Sequence, residues 1–385
     1  MQRRNFLRVA VIGGAAVVGG ASWGTAFAAT AQPGPSPYGA LLAPDANGIQ
    51  LPVGFSSRVI ARTGQKVAGT DYFWHPAPDG GACFADGTGW IYVSNSEVPL
   101  VGGVGAVRFD ATGRITGAYR TLSGTNVNCA GGATPWGTWL SCEEVDYGRV
   151  FETDPWGARP AVARPALGRF KHEACAADPD HGYLYLTEDT PDGCFYRFRP
   201  NTWGDLSSGV LEVMTGADDQ VDGQVGWARV PDPDGFPIAT RKQVGAAKRF
   251  NGGEGCHYAA GTCWFTTKGD NRVWAHRPDT ASIALAYDDS LVPPGTATLT
   301  GVDNITRSTA GDLYVAEDGG DMEINIITRD ALVAPVLRVT GQSGSELTGP
   351  AFSPDGRRLY FSSQRGTAGN VFGGITYEVT GPFRS

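Results

Sequence analysis

Six times along the chain a short run of small and apolar residues leads through a turn into a run of aromatic and β-branched residues. The second run ends each time in polar residues. The segments are Gly81 to Glu97, Asn128 to Glu144, His172 to Asp189, Gly253 to Asp270, Val302 to Asp318 and Glu346 to Gln364. Tyr92, Trp139, Tyr185, Trp264, Tyr314 and Tyr360 mark the second runs, at intervals of 47, 46, 79, 50 and 46. The alternation is that of strands. A period of roughly 45–50 residues with about four strands per unit predicts an all-β fold, a single β-propeller of six blades. Further runs between the markers, such as Ala106–Asp110, Phe195–Phe198 and Ile324–Ile327, fit the outer strands. The long interval predicts an insertion from about Asn201 to Gly245. A β-sandwich array would not produce one period, and no amphipathic helix is legible.

Composition agrees with short strands and tight turns: 55 Gly and 25 Pro. The net charge of −8 argues against nucleic acid or an anionic membrane as partner. The first residues carry Arg3-Arg4-Asn5-Phe6-Leu7, then an apolar Gly/Ala-rich stretch, then Ala26-Phe27-Ala28. This reads as a twin-arginine (Tat) export signal over residues 1–28, too short to span a bilayer. Residues 29–385 are then the propeller domain, expected as a secreted or periplasmic monomer that meets the Tat machinery and keeps no membrane contact after cleavage. The seven cysteines are Cys83, Cys129, Cys142, Cys175, Cys194, Cys256 and Cys263. The odd count leaves at least one thiol unpaired. Cys175/Cys194 and Cys256/Cys263 are spaced to face each other across neighbouring strands, or all stay as buried thiols.

Aligning the units brings Cys129, Glu173, Glu254, Asp303 and Glu346 to the start of the innermost strand, 10 to 14 residues before each marker. Innermost strands line a propeller's channel, so one thiol and four carboxylates would meet at one mouth. Like charges so close need cations, and a metal cluster is the simplest resolution. Solvated loop carboxylates are the bland alternative, and repetition weighs against it. A second set ends the next strand: Glu97, Glu143, Glu144, Glu188, Asp189, Asp270, Glu317 and Asp318. Among these Glu144 and Glu317 are taken as further ligands. Oxygen-rich sites suit calcium, magnesium or manganese, and a thiolate among carboxylates suits a transition metal such as iron. There is no C-x-x-C pair, no G-x-S-x-G elbow and no Walker loop.

The run from Asn128 to Glu144 closely resembles the PhoX-type alkaline phosphatases. Gly168–Glu173, Asp303-Asn304-Ile305, Glu317-Asp318, Phe352–Gly356 and Thr380–Phe383 also look like that family, in order along most of the chain. The resemblance implies a six-bladed propeller with iron and calcium at the channel mouth and hydrolysis of small phosphate esters. It puts the iron-bound cysteine on Cys129 and ligand carboxylates on Glu144, Glu173, Glu254 and Asp303. One departure stands out. Larger members carry Arg-Pro-Glu where this chain has Gly252-Gly253-Glu254, so the phosphate-holding arginine is replaced by glycine. Lys268, Arg272 and Arg249 are the nearby candidates to replace it, and Lys268 and Arg272 are taken as the catalytic cations. The rival expectation is a calcium-binding or lactonase-like propeller without phosphatase activity.

Overall fold

The computed structural model describes residues 29–385, so the export signal lies outside the described residues. Six sheets succeed one another along the chain, antiparallel except for one short parallel strand, with six short 3-10 turns and no α-helix among the described residues. No described helix is long and apolar enough to cross a membrane. Each sheet is one blade, and its first strand lines the channel. These innermost strands are Pro78–Asp86, Asn128–Ala133, His172–Asp178, Gly253–Ala259, Val302–Arg307 and Leu347–Phe352.

The ring closes through its ends. Blade six contains Leu347–Phe352, Arg358–Ser363 and Ile375–Thr380, and its outer strand is Ser56–Arg62 from the other end of the chain. Two-residue strands from the same end, Gln32–Pro33 and Ile49–Gln50, pair with the outer strand of blade five. Such closure removes the free edges that open sheets expose.

Blade three revises the expected insertion. Asp205–Thr215 is not an insertion but that blade's fourth strand, paired with Gly193–Thr202. Leu206, Leu211, Val213 and Met214 are buried there. The added segment is 216–248. It contributes Gly226–Arg229 to blade three and Gly223–Gln224 to blade four, so it fastens two blades together.

There is no single core. The buried apolar residues fall into six clusters, one at each junction between adjacent blades. The repeated aromatic residues fill these junctions. Tyr92 of blade one stacks on Tyr360 of blade six with ring centroids 5.0 Å apart. Trp139 of blade two donates its indole N–H to Asn95 of blade one at 2.9 Å. The period in the sequence is therefore the period of these junctions.

Candidate metal centre

In every blade the innermost strand carries a register shift at the same place against its neighbour. Two residues there oppose one, as in a β-bulge, which bends the strand and re-aims a side chain. The bulged pairs are Asp79-Gly80, Cys129-Ala130, Glu173-Ala174, Glu254-Gly255, Asp303-Asn304 and Gly349-Pro350. Five of the six first positions bear a ligand-type side chain. The sixth is Gly349, at φ +59°, where a Cβ would sit 2.8 Å from the Asp79 carbonyl. Blade six thus offers no ligand at this level. Glu346, expected in this ring, lies three residues earlier, where Arg365 holds its carboxylate at 2.9 Å.

The bulges are tied down by the preceding blade. The Asn95 amide donates to the carbonyls of Cys129 (2.9 Å) and Ala130 (2.7 Å). Thr187 donates to the Glu254 carbonyl and Thr266 to the Asp303 carbonyl. At Gly255 a Cβ would meet the Ile305 amide at 2.6 Å and the Asp303 carbonyl at 2.9 Å, so only glycine lets blades four and five approach. Small residues after the ring position are what allow the ring to be tight.

Ligand atoms of Asp79, Glu97 and Cys129 lie within 4.8 Å of one another, as do those of Cys129, Glu144 and Glu173, and of Glu173, Glu254 and Asp303. Cys129 and Glu173 each belong to two groups, so the three groups form one continuous set. Asp79 and Glu97 also accept from the Gln364 side-chain amide. Burial, then the neighbouring Glu254 and Glu144 charges, holds Glu173 well above the ordinary carboxylate range. Burial followed by Glu97 does the same to Asp79 and brings Glu144 up to about 8. Burial and Asp79 raise the Cys129 thiol. Both oxygens of Glu173 are buried without a hydrogen-bond partner. Such groups are costly unless something pairs with them. One thiolate and several carboxylates, with two orphaned oxygens among them, fit a group of hard cations with one softer transition metal.

The next strand ends in a second level at the mouth: Glu97, Glu144, Asp189, Lys268 and Asp318. Lys268 interrupts this acidic level. Its ammonium lies 2.8 Å from Glu254 and 3.2 Å from Asp318. Burial alone would lower its pKa, but Glu254 and Asp303 outweigh that and raise it.

Two expected residues are placed elsewhere. Glu317 is one residue before Asp318, and strand alternation turns it to the opposite face. There it accepts from the amides of Thr300 (2.8 Å) and Glu323 (3.0 Å). Glu143 and Glu188 sit at the same register and anchor loops in the same way. Arg272 is not a mouth cation either. It pairs with Asp288 at 2.7 Å and Asp270 at 2.9 Å and lies over Trp274. Arg249 donates to the Cys194 sulfur at 3.0 Å and to the Arg241 carbonyl, on blade three. Asp79 and Arg365 were not singled out from the sequence. Asp79 precedes Gly80 and reads as a turn, and Arg365 falls just past the sixth repeat.

The cysteines remain free thiols. Cys256 and Cys263 do face each other, with sulfurs 3.5 Å apart, whereas Cys194 contacts Arg249 rather than Cys175.

A family model described as alkaline phosphatase PhoX matches residues 91–146 and 145–286, just over half of the chain. The chain belongs to that family. It is therefore a phosphoric ester hydrolase by family. Among solved structures, PhoX of Pseudomonas fluorescens in complex with vanadate, a transition state analogue, superposes with a TM-score of 0.73. It is 17% identical, and the match covers 91% of this chain and 98% of that one. A Bacteroides thetaiotaomicron protein of unknown function matches at 0.54 with 10% identity, over 85% of this chain and 76% of that one. Both likenesses show the propeller fold. No match was found among curated proteins.

Where the resemblance expects an arginine, the glycine of this chain has a local reason. Gly252 stands at φ +70°, and a Cβ there would lie 3.1 Å from the Asp189 carboxylate. The Lys268 amide donates to the Gly252 carbonyl at 2.8 Å, so Lys268 rises from the same corner.

Proposed function

We propose that this chain is an exported phosphatase that hydrolyses small phosphate esters at a cluster of iron and calcium. Cys129, Asp79, Glu97, Glu144, Glu173, Glu254 and Asp303 hold the cluster in this reading. When bound, the cations would supply positive charge to phosphoryl oxygens and make water a stronger nucleophile. The observation that carries the reading is the shared set of ligand atoms in which Glu173 keeps both oxygens unpartnered at full burial. Lys268 is the protein's own contribution to phosphate recognition. Its ammonium stands among Glu254, Asp318 and the ring, where it can donate to a phosphoryl oxygen. A lysine gives charge without the two-pronged fork of arginine, so the phosphoryl group is oriented less strictly. Asn95, Thr187 and Thr266 position the ring by fixing carbonyls of the bulges. Export rests on Arg3-Arg4 and Ala26-Phe27-Ala28.

The test compares kcat/KM for an aryl phosphate in wild type, Lys268→Ala and Arg272→Ala. Lys268→Ala is expected to lose on the order of a hundredfold, the scale of one charge-assisted hydrogen bond. Arg272→Ala, whose partners are Asp270 and Asp288, is expected to stay within about threefold of wild type. Equal losses in both variants would remove Lys268 from its role.

A further inference from the structure

Beside the mouth, where Glu144 and Asp189 meet, lies a cleft of about 150 Å³ lined by Asp146, Tyr147, Arg169, Lys171, Thr240 and Arg241. It shares backbone with the second level of the mouth. The Asp189 amide donates to the Lys171 carbonyl at 3.2 Å, and Asp146 and Tyr147 follow Glu144 in the same loop. Arg241 is committed to Glu188 and Asp192. The other two cations are not. Among the described residues the Lys171 ammonium makes no hydrogen bond or ion pair. Arg169 uses only Nε, on the Tyr147 carbonyl at 3.3 Å, which leaves its terminal nitrogens free. Asp146 is the only carboxylate in the lining. The rim is apolar and exposed. Phe236 is 72% exposed, and its ring centroid lies 6.2 Å from that of Tyr147.

Two uncommitted cations beneath an exposed aromatic pair are matched by a ligand with an anionic end and a flat or apolar body. We propose that this cleft binds a second anionic group of the substrate, carried on the leaving-group side. The enzyme would then favour phosphate esters whose leaving group bears a carboxylate or a further phosphate over otherwise equal neutral ones. The Arg169 fork and the Lys171 charge take the anion, and Tyr147 and Phe236 cover the body of the leaving group. The inference rests on the phosphatase reading and names the substrate class of that same site.

The test uses the metal-loaded protein and three esters: phenyl phosphate, 4-carboxyphenyl phosphate and benzene-1,4-diyl bisphosphate. The readout is the ratio of kcat/KM for each anionic ester to that for phenyl phosphate. Wild type is expected to favour the anionic esters on the order of tenfold, and Lys171→Glu to bring the ratios to about one or below. The two esters separate a carboxylate-selective cleft from a phosphate-selective one. Binding of phenylphosphonate and 4-carboxyphenylphosphonate, followed by calorimetry, gives the same comparison without turnover. Tighter binding of the carboxylated phosphonate without hydrolysis of any ester would keep the cleft and sink the phosphatase reading. Hydrolysis of all three esters with ratios near one in wild type, or ratios that Lys171→Glu leaves in place, would overturn the cleft and keep the phosphatase.

Discussion

Glu317 accepts from the amides of Thr300 and Glu323, while Asp318, the next residue, faces Lys268 across the channel mouth. The difference is one step of strand alternation, and it separates a loop anchor from a member of the site. Glu317→Gln keeps the shape but offers one acceptor oxygen to two amide donors on different oxygens, so one bond is lost, at a cost of about 1–3 kcal/mol. It is expected to lower the melting temperature by a few degrees and leave the iron content at the wild-type level. Cys129→Ser is expected to do the reverse, with iron lost and melting behaviour close to wild type. Iron retained by Cys129→Ser would break the assignment of the thiolate. Cys129, Glu173, Glu254 and Asp303 were legible in the sequence because repetition set them in register. Glu346 does not share the bulge position of the ring, because its blade carries Gly349 there and counting from a marker cannot see where a bulge falls; its carboxylate still stands beside Asp318, in the field of Asp79 and Asp303. Arg272 was misread because sequence proximity to Lys268 says nothing of Asp288, sixteen residues on, which captures it.

At the scale of strands and turns, the blades are joined by apolar contacts, by the polar ties at the bulges and by further polar ties at the rim. His181, in the first hairpin turn of blade three, bonds Asp178 of its own strand at 2.9 Å and Asp279 of blade four at 2.8 Å. Burial alone would lower its pKa, but the Asp279 bond and the Asp178 charge raise it above the ordinary histidine value. A raised folded-state value means that the tie stabilises fully below the unfolded pKa of about 6.5. It fades as pH rises through the folded value. His181→Ala is therefore expected to melt below wild type at pH 5.5, with the gap closing by pH 9. A gap that does not change with pH would contradict the bridge. The period, the innermost strands and the hairpins of each blade were legible from aromatic and β-branched spacing. The closure of blade six was not, since Ser56–Arg62 meets Ile375–Thr380 more than 300 residues away and no local pattern encodes that pairing. Asp205–Thr215 escaped because Ser207, Ser208 and Gly209 interrupt its apolar alternation.

For the whole molecule, six junctions between blades bury most apolar residues, small and apolar residues such as Gly131, Ala176 and Ala351 line much of the channel, and the carboxylates gather at one end of it. An acidic chain of net charge −8 gathers its carboxylates at one mouth of that channel. Two charges 4.8 Å apart repel by about 3–4 kcal/mol at an effective dielectric of about 20. Several such pairs, buried and sharing members, oppose the fold unless cations lie between them. The same cations would reverse the local sign and let an acidic protein bind a phosphate ester. Fold, charge and family membership thus all bear on the proposed metal content of the ring. The most direct test is elemental analysis of iron and calcium in mature protein purified after native export, on the same sample whose phosphatase activity is measured. The account predicts both metals bound in fixed proportion to the chain in the active sample. Full activity in protein that contains neither metal would contradict it.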